Sequence, residues 1–145
     1  MMPEADTDLE RLYSKRFDPN EEYRRAVWSV LVSKFFSRFF APGGTILDLG
    51  CGYGEFINAV QAKGRLAMDV NPAAKNKLSA DVQFFLQDSS EHWQGIPENS
   101  LDTVFASNFF EHLPDKAAVI GTLREVRRCL KPEGRLIALG PNMKR

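Results

Sequence analysis

Ile46-Leu47-Asp48-Leu49-Gly50-Cys51-Gly52-Tyr53-Gly54-Glu55-Phe56 is the stretch from which the rest of the chain can be read. Its apolar start predicts a short buried strand over 45–49, and its end opens a helix predicted over 55–63. Between them, glycines spaced GxGxG let the backbone turn sharply and lie close to a ligand. A tight strand-to-helix turn with no ligand is the competing reading.

Working outward, the same alternation repeats. Strands are predicted over 65–70, 82–86, 101–106 and 135–139, with a short helix after Asn71-Pro72 and a weak helical or loop segment to Gln94. A later helix opens at Asp115 or Lys116, and its Val119, Leu123, Val126 and Leu130 share a face. Lys131-Pro132-Glu133-Gly134 reads as a turn. Upstream, Asp18-Pro19-Asn20-Glu21 reads as a capped start for a helix running to about Phe40, with Tyr23, Val27, Val30, Leu31 and Phe35 on its apolar side. Strands alternating with helices imply parallel pairing. The expected organisation is a loose segment over 1–17 and one α/β core domain over 18–145, whose N-terminal helix occupies 18–41.

Composition narrows the class. One domain fits 145 residues, and 43% hydrophobic content suits a globular core. Lys plus Arg and Asp plus Glu number 19 each, so no overall field draws the chain to nucleic acid, and no nucleic-acid partner is expected. The most apolar window, 27–40, carries Lys34 and Arg38 and is too short to span a bilayer. Neither a signal peptide nor a disulfide framework is evident, which points to the cytoplasm. Cys51 and Cys129 lie far apart with only His92 and His112 beside them, so no metal site is expected.

The ligand chemistry follows from carboxylates. A dinucleotide pyrophosphate would sit at the helix start beside Glu55, where a carboxylate about 5 Å away costs roughly 3 kcal/mol at an effective dielectric near 20. Asp48 and Glu55 therefore suit a cationic ligand. S-adenosylmethionine carries an ammonium and a sulfonium and no phosphate. Asp69 falls 21 residues after Asp48, at the end of the next strand, where an acid meets ribose hydroxyls. The third strand ends in Gln87-Asp88-Ser89-Ser90, where Asp88 could accept from an adenine amino group and the Ser89 amide could meet a ring nitrogen. Capping and turn roles are the alternatives for Asp69 and Asp88.

At these residues the chain resembles class I S-adenosylmethionine-dependent methyltransferases of the small-molecule type called methyltransferase 11. The matching stretches are ILDLGCGYGEF, AMDVNP, FLQDSSE, LDTVFASNFFEHLPD and LREVRRCLKPEGRLIALGPN, together spanning about 44–142. The resemblance implies a three-layer αβα Rossmann-like fold with strand order 3-2-1-4-5. Similar proteins add sixth and seventh strands, which are absent here, so a C-terminally truncated form is expected. It implies that Asp48 and the loop of Gly50, Cys51, Gly52 and Gly54 hold the methionine part. Asp69 would hold the ribose with Val70 against adenine, Asp88 and Ser89 would hold the adenine edge, and Asn108 and Phe109 would flank the methionine and face the acceptor. The expected reaction is methyl transfer to a small-molecule acceptor, with a sugar or metabolite hydroxyl in view. The alternative is a cofactor-binding module or an inactive truncated relative. A homo-oligomer or a partner covering the open sheet edge is also expected.

Methyl transfer is an in-line displacement, and alignment alone can contribute about 7–11 kcal/mol. A base is needed only for a protonated acceptor such as a hydroxyl. His112, at the end of the fourth strand, is the candidate catalytic base, with packing in its loop as the alternative. Asn108-Phe109-Phe110 lacks the (Asn/Asp)-Pro-Pro-(Tyr/Phe) pattern of amino-group methylation of bases and amides. Tyr13, Arg16, Phe17 and Tyr23 are candidates for a lid. Phe35, Phe36, Phe39 and Phe40 read as core, and Arg124, Arg127 and Arg128 as a solvated helix face.

Overall fold

A computed structural model describes residues 19–142, so the segment over 1–17, the Asp18 cap, and Tyr13, Arg16 and Phe17 lie outside the described residues. Helix α1 (Pro19–Lys34) and a 3-10 turn (Phe36–Phe39) precede β1 (Thr45–Leu49), α2 (Glu55–Ala59) and β2 (Gly64–Asp69). A second 3-10 segment (Pro72–Lys77) leads to β3 (Gln83–Leu86), and β4 (Leu101–Ser107), a third 3-10 turn (Phe110–His112), α3 (Lys116–Cys129) and β5 (Leu130–Leu139) complete the described elements. The sheet runs β3-β2-β1-β4-β5 with every neighbouring pair parallel, the order expected from the sequence.

Both faces of this sheet are covered, as parallel sheets require. Along β1, Ile46 joins the core shared with α1 and α2, while Leu47 and Leu49 join the core beneath α3. Strand alternation therefore directs Asp48 to the α1 and α2 side. On that side the Phe56 and Phe105 rings stack with centroids 3.6 Å apart and planes 11° from parallel. On the other side Trp93, fully enclosed, lies with Leu101, Val104 and Cys129.

Several elements differ from the sequence expectation. Helix α1 ends at Lys34 and tightens to 3-10, with the Ser37 hydroxyl bonding back to the Ser33 carbonyl. The inward side of the helix and the turn is Trp28, Val32 and Phe36, which share one core with Phe56 and Phe105; Tyr23, Val30, Leu31, Phe35 and Phe39 are exposed. Helix α2 stops at Ala59 because Arg65 Nη1 donates to the carbonyls of Ile57 and Asn58, satisfying acceptors that a further turn would use. Helix α3 buries Ala118, Thr122, Val126 and Cys129, leaving Leu123 exposed. Residues 131–134 lie within β5 as a register shift between Leu101↔Leu130 and Thr103↔Arg135. Arg128 is no solvated residue: its guanidinium bonds Glu125 and the carbonyls of Trp93 and Ile96.

Candidate active site

In a sheet of this order, all strands run the same way and the strand order reverses between β1 and β4; ligands bind beyond the strand carboxyl ends at that point. Two clefts open there and share Gly50 and Asn108. The larger, about 370 Å³, is lined by Met68, Asp69, Val70, Gln87, Asp88, Ser89 and Phe109, with His112, Leu113 and Pro114 at its rim. The smaller, about 230 Å³, is lined by Asp48, Cys51, Gly52, Glu55, Phe105 and Ser107, with Trp28 of α1 as one wall.

The glycine loop is built for close approach. Gly50 has φ of +70°, and a Cβ there would lie 2.4 Å from the Phe109 ring, so both the turn and the floor of the cleft require glycine. The Gly50 and Cys51 amides donate to the Met68 carbonyl, locking the loop onto β2. The Gly52 amide donates to Asp69 Oδ2 and the Asn71 amide to Oδ1. Asp69 thus faces the large cleft while its carboxylate braces the loop beside the small one. Gly54 lies outside both clefts; a Cβ there would meet Leu78 at 2.7 Å, so it serves helix packing.

Asp48 is 3% exposed, and its carboxyl is pushed up to about 8, first by burial and then by the charges of Asp69 and Glu55; a backbone hydrogen bond at Ile57 opposes the rise. Glu55 has its own partner, Arg24 Nε at 3.0 Å. Burial also raises the Cys51 thiol, aided by Asp48, which disfavours a reactive thiolate.

Across the large cleft, Asp88 is exposed and its Oδ1 accepts from the Ser90 amide and hydroxyl, which holds its carboxyl below the ordinary range. The Ser89 hydroxyl is committed to Thr122 at 2.9 Å. Val70 is 69% exposed, an apolar side chain standing open at the cleft edge. Asn108 holds φ of +49°, and its amide donates to the Leu139 carbonyl. The His112 side chain is 77% exposed with Glu111 3.9 Å away. Asp48, Asp69 and Asp88, read from the sequence as strand-end carboxylates, do converge on adjoining clefts. Trp28, Gln87 and Ser107 were not foreseen. Gln87 directly precedes Asp88 at a strand end, so its position carried the signal.

The family model described as Methyltransferase domain matches residues 47–138, more than half of the chain. The chain belongs to this family. Its members are class I S-adenosylmethionine-dependent methyltransferases, and the chain is 32% identical over 108 residues to a ubiquinone biosynthesis O-methyltransferase of Xanthomonas campestris. That match takes in 69% of this chain and 44% of the relative, so the chain spans less than half of the length of such relatives. Among solved structures, an S-adenosylmethionine-dependent methyltransferase from Archaeoglobus fulgidus superposes with a TM-score of 0.66 at 22% identity, covering 82% of this chain and 54% of that one. A Haemonchus contortus phosphoethanolamine N-methyltransferase gives 0.67 at 20% identity, covering 90% of this chain and 30% of that one. The methyltransferase cofactor suits the site on chemical grounds. The small cleft offers carboxylates and an aromatic wall to a cation, and the large one offers apolar walls with strand-end carboxylates to an adenosine. No helix among the described residues is long and apolar enough to cross a membrane.

Proposed function

We propose that this chain binds S-adenosylmethionine across the two clefts and supports methyl transfer to a hydroxyl of a small molecule. The observation carrying this reading is that Gly50 and Asn108 join an acidic cleft to an apolar one at the sheet's reversal point. Asp48 would balance the ammonium of the amino-acid arm, and the Gly50–Gly52 backbone would lie against the rest of that arm. Asp69 would accept from both ribose hydroxyls, and Val70, Asp88 and Ser89 would enclose the adenine. When bound, the cofactor supplies an electrophilic methyl on sulfur. The chain's task is then alignment, and Asn108 and Phe109, which line the large cleft, would flank the methionine and face the acceptor. The O-methyltransferase relatives support a hydroxyl acceptor. For such an acceptor His112 would take the proton.

Isothermal titration tests the binding half. S-adenosylhomocysteine binds at micromolar levels, and Asp69→Ala weakens it on the order of 100-fold, the loss of a charged hydrogen-bond pair to the diol. Folded protein that evolves no heat with either cofactor form sinks the reading. The exposed position of His112 favours a second reading, a domain that holds the cofactor without turnover. Tight binding with no methyl transferred across a panel of hydroxyl acceptors would select it.

A further inference from the structure

We propose that Trp28 is a positioning residue whose ring recognises positive charge on the amino-acid arm of the cofactor; this rests on the binding reading above. Trp28 is half-buried and forms one wall of the small cleft, which Asp48 and Glu55 also line. Its indole is held from three sides. It meets Phe56 and Phe105 edge-on, with centroids 6.2 and 6.0 Å away, and lies near-parallel to Phe36 at 6.2 Å. One helical turn earlier, Arg24 bonds Glu55 and so ties α1 to the start of α2, directly after the glycine loop. An aromatic ring fixed in place beside carboxylates is a general means of holding a cation, because a ring face adds to the carboxylate field without adding a charge to be desolvated; Phe36 lies along one side of the indole, so a cation would take the other.

The contrast with the chain's other tryptophan supports a ligand-facing role. Trp93 is 0% exposed, and its Nε1 is spent on the Ser89 carbonyl at 2.8 Å. Trp28 packs on the Phe36, Phe56 and Phe105 rings yet leaves part of its surface on a cleft.

The test compares S-adenosylmethionine, S-adenosylhomocysteine and 5′-methylthioadenosine, which is neutral and lacks the amino-acid arm. In Trp28→Leu, affinity for the two arm-bearing ligands falls about tenfold while methylthioadenosine is unchanged, and Trp28→Phe restores most of the loss. A larger fall for S-adenosylmethionine identifies the sulfonium as the recognised charge, and equal falls for the two identify the ammonium; either supports the proposal. An equal fall for all three ligands, or none, overturns it. Wild-type protein that binds none of the three overturns the cofactor reading and this one together. Should Trp28→Leu fail to fold, tryptophan emission decides with Trp28→Phe. Loss of the ligand-induced emission change with binding retained supports the role, and an unaltered change overturns it.

Discussion

Asp48 and Glu125 are both carboxylates largely withdrawn from water, on opposite sides of the sheet, and their surroundings differ in sign. Glu125 accepts from the Arg128 guanidinium and from the Trp93 amide, and those bonds hold its carboxyl down to about 2. Arg128 goes on to bind the carbonyls of Trp93 and Ile96, so the pair fastens the loop before β4 onto α3. Asp48 meets Asp69 and Glu55 instead, and is pushed up to about 8. A charge supplied with its counterion by the same chain is architecture. A charge surrounded by its own sign is poorly placed in the free protein and gains most from a cation arriving from outside.

Replacing each carboxylate should separate the two roles. Asp48→Asn weakens S-adenosylmethionine binding on the order of 100-fold by calorimetry. Its thermal midpoint at pH 8 holds or rises, because the amide needs no counterion; a lower midpoint would make Asp48 a structural residue like Glu125. Glu125→Ala does the reverse. Stability falls by about 2 kcal/mol in urea unfolding, as Arg128 and the Trp93 amide lose their acceptor. Cofactor affinity of the folded protein stays within about twofold.

Acidity sharpens the comparison further. Between the ordinary aspartate value and about 8, folded Asp48 keeps a proton that the unfolded chain has released, so its contribution to stability falls as pH rises. Glu125 slopes the other way: its contribution is complete above the ordinary glutamate value and is lost as pH falls toward about 2. A bound cation favours ionised Asp48. Cofactor affinity should therefore rise with pH toward 8, by at most about tenfold per unit, and level off above it. Titrations from pH 6 to 9 check this, and Asp48→Asn removes the rise.

Much of the frame was legible because strands announce themselves locally. Thr45–Leu49 is a short apolar run with one carboxylate, bounded by glycines, and no distant residue alters it. The strand-end acids were legible for the same reason, since a residue just past a parallel strand must lie near the crevice. Helix faces were not. Both sides of α1 carry apolar residues, and only Phe56 and Phe105, far along the chain, select Trp28, Val32 and Phe36 over Tyr23, Val30 and Phe35. Trp28 was missed as a site residue on that account. The length of α2 was likewise set from a distance, by Arg65 on the next strand. Arg128 looked solvated because its carbonyl partners lie in a loop with no regular pattern to place them.

Asn108, twisted into the left-handed region at the end of β4, has its amide fixed by Leu139, the last residue of the outermost strand on that side. The bed of the crevice is thereby moored to the margin of the sheet through one hydrogen bond. Fraying of β5 would slacken the residue that both clefts share, and deuterium uptake at the Asn108 amide would register that slackening before any strand came loose.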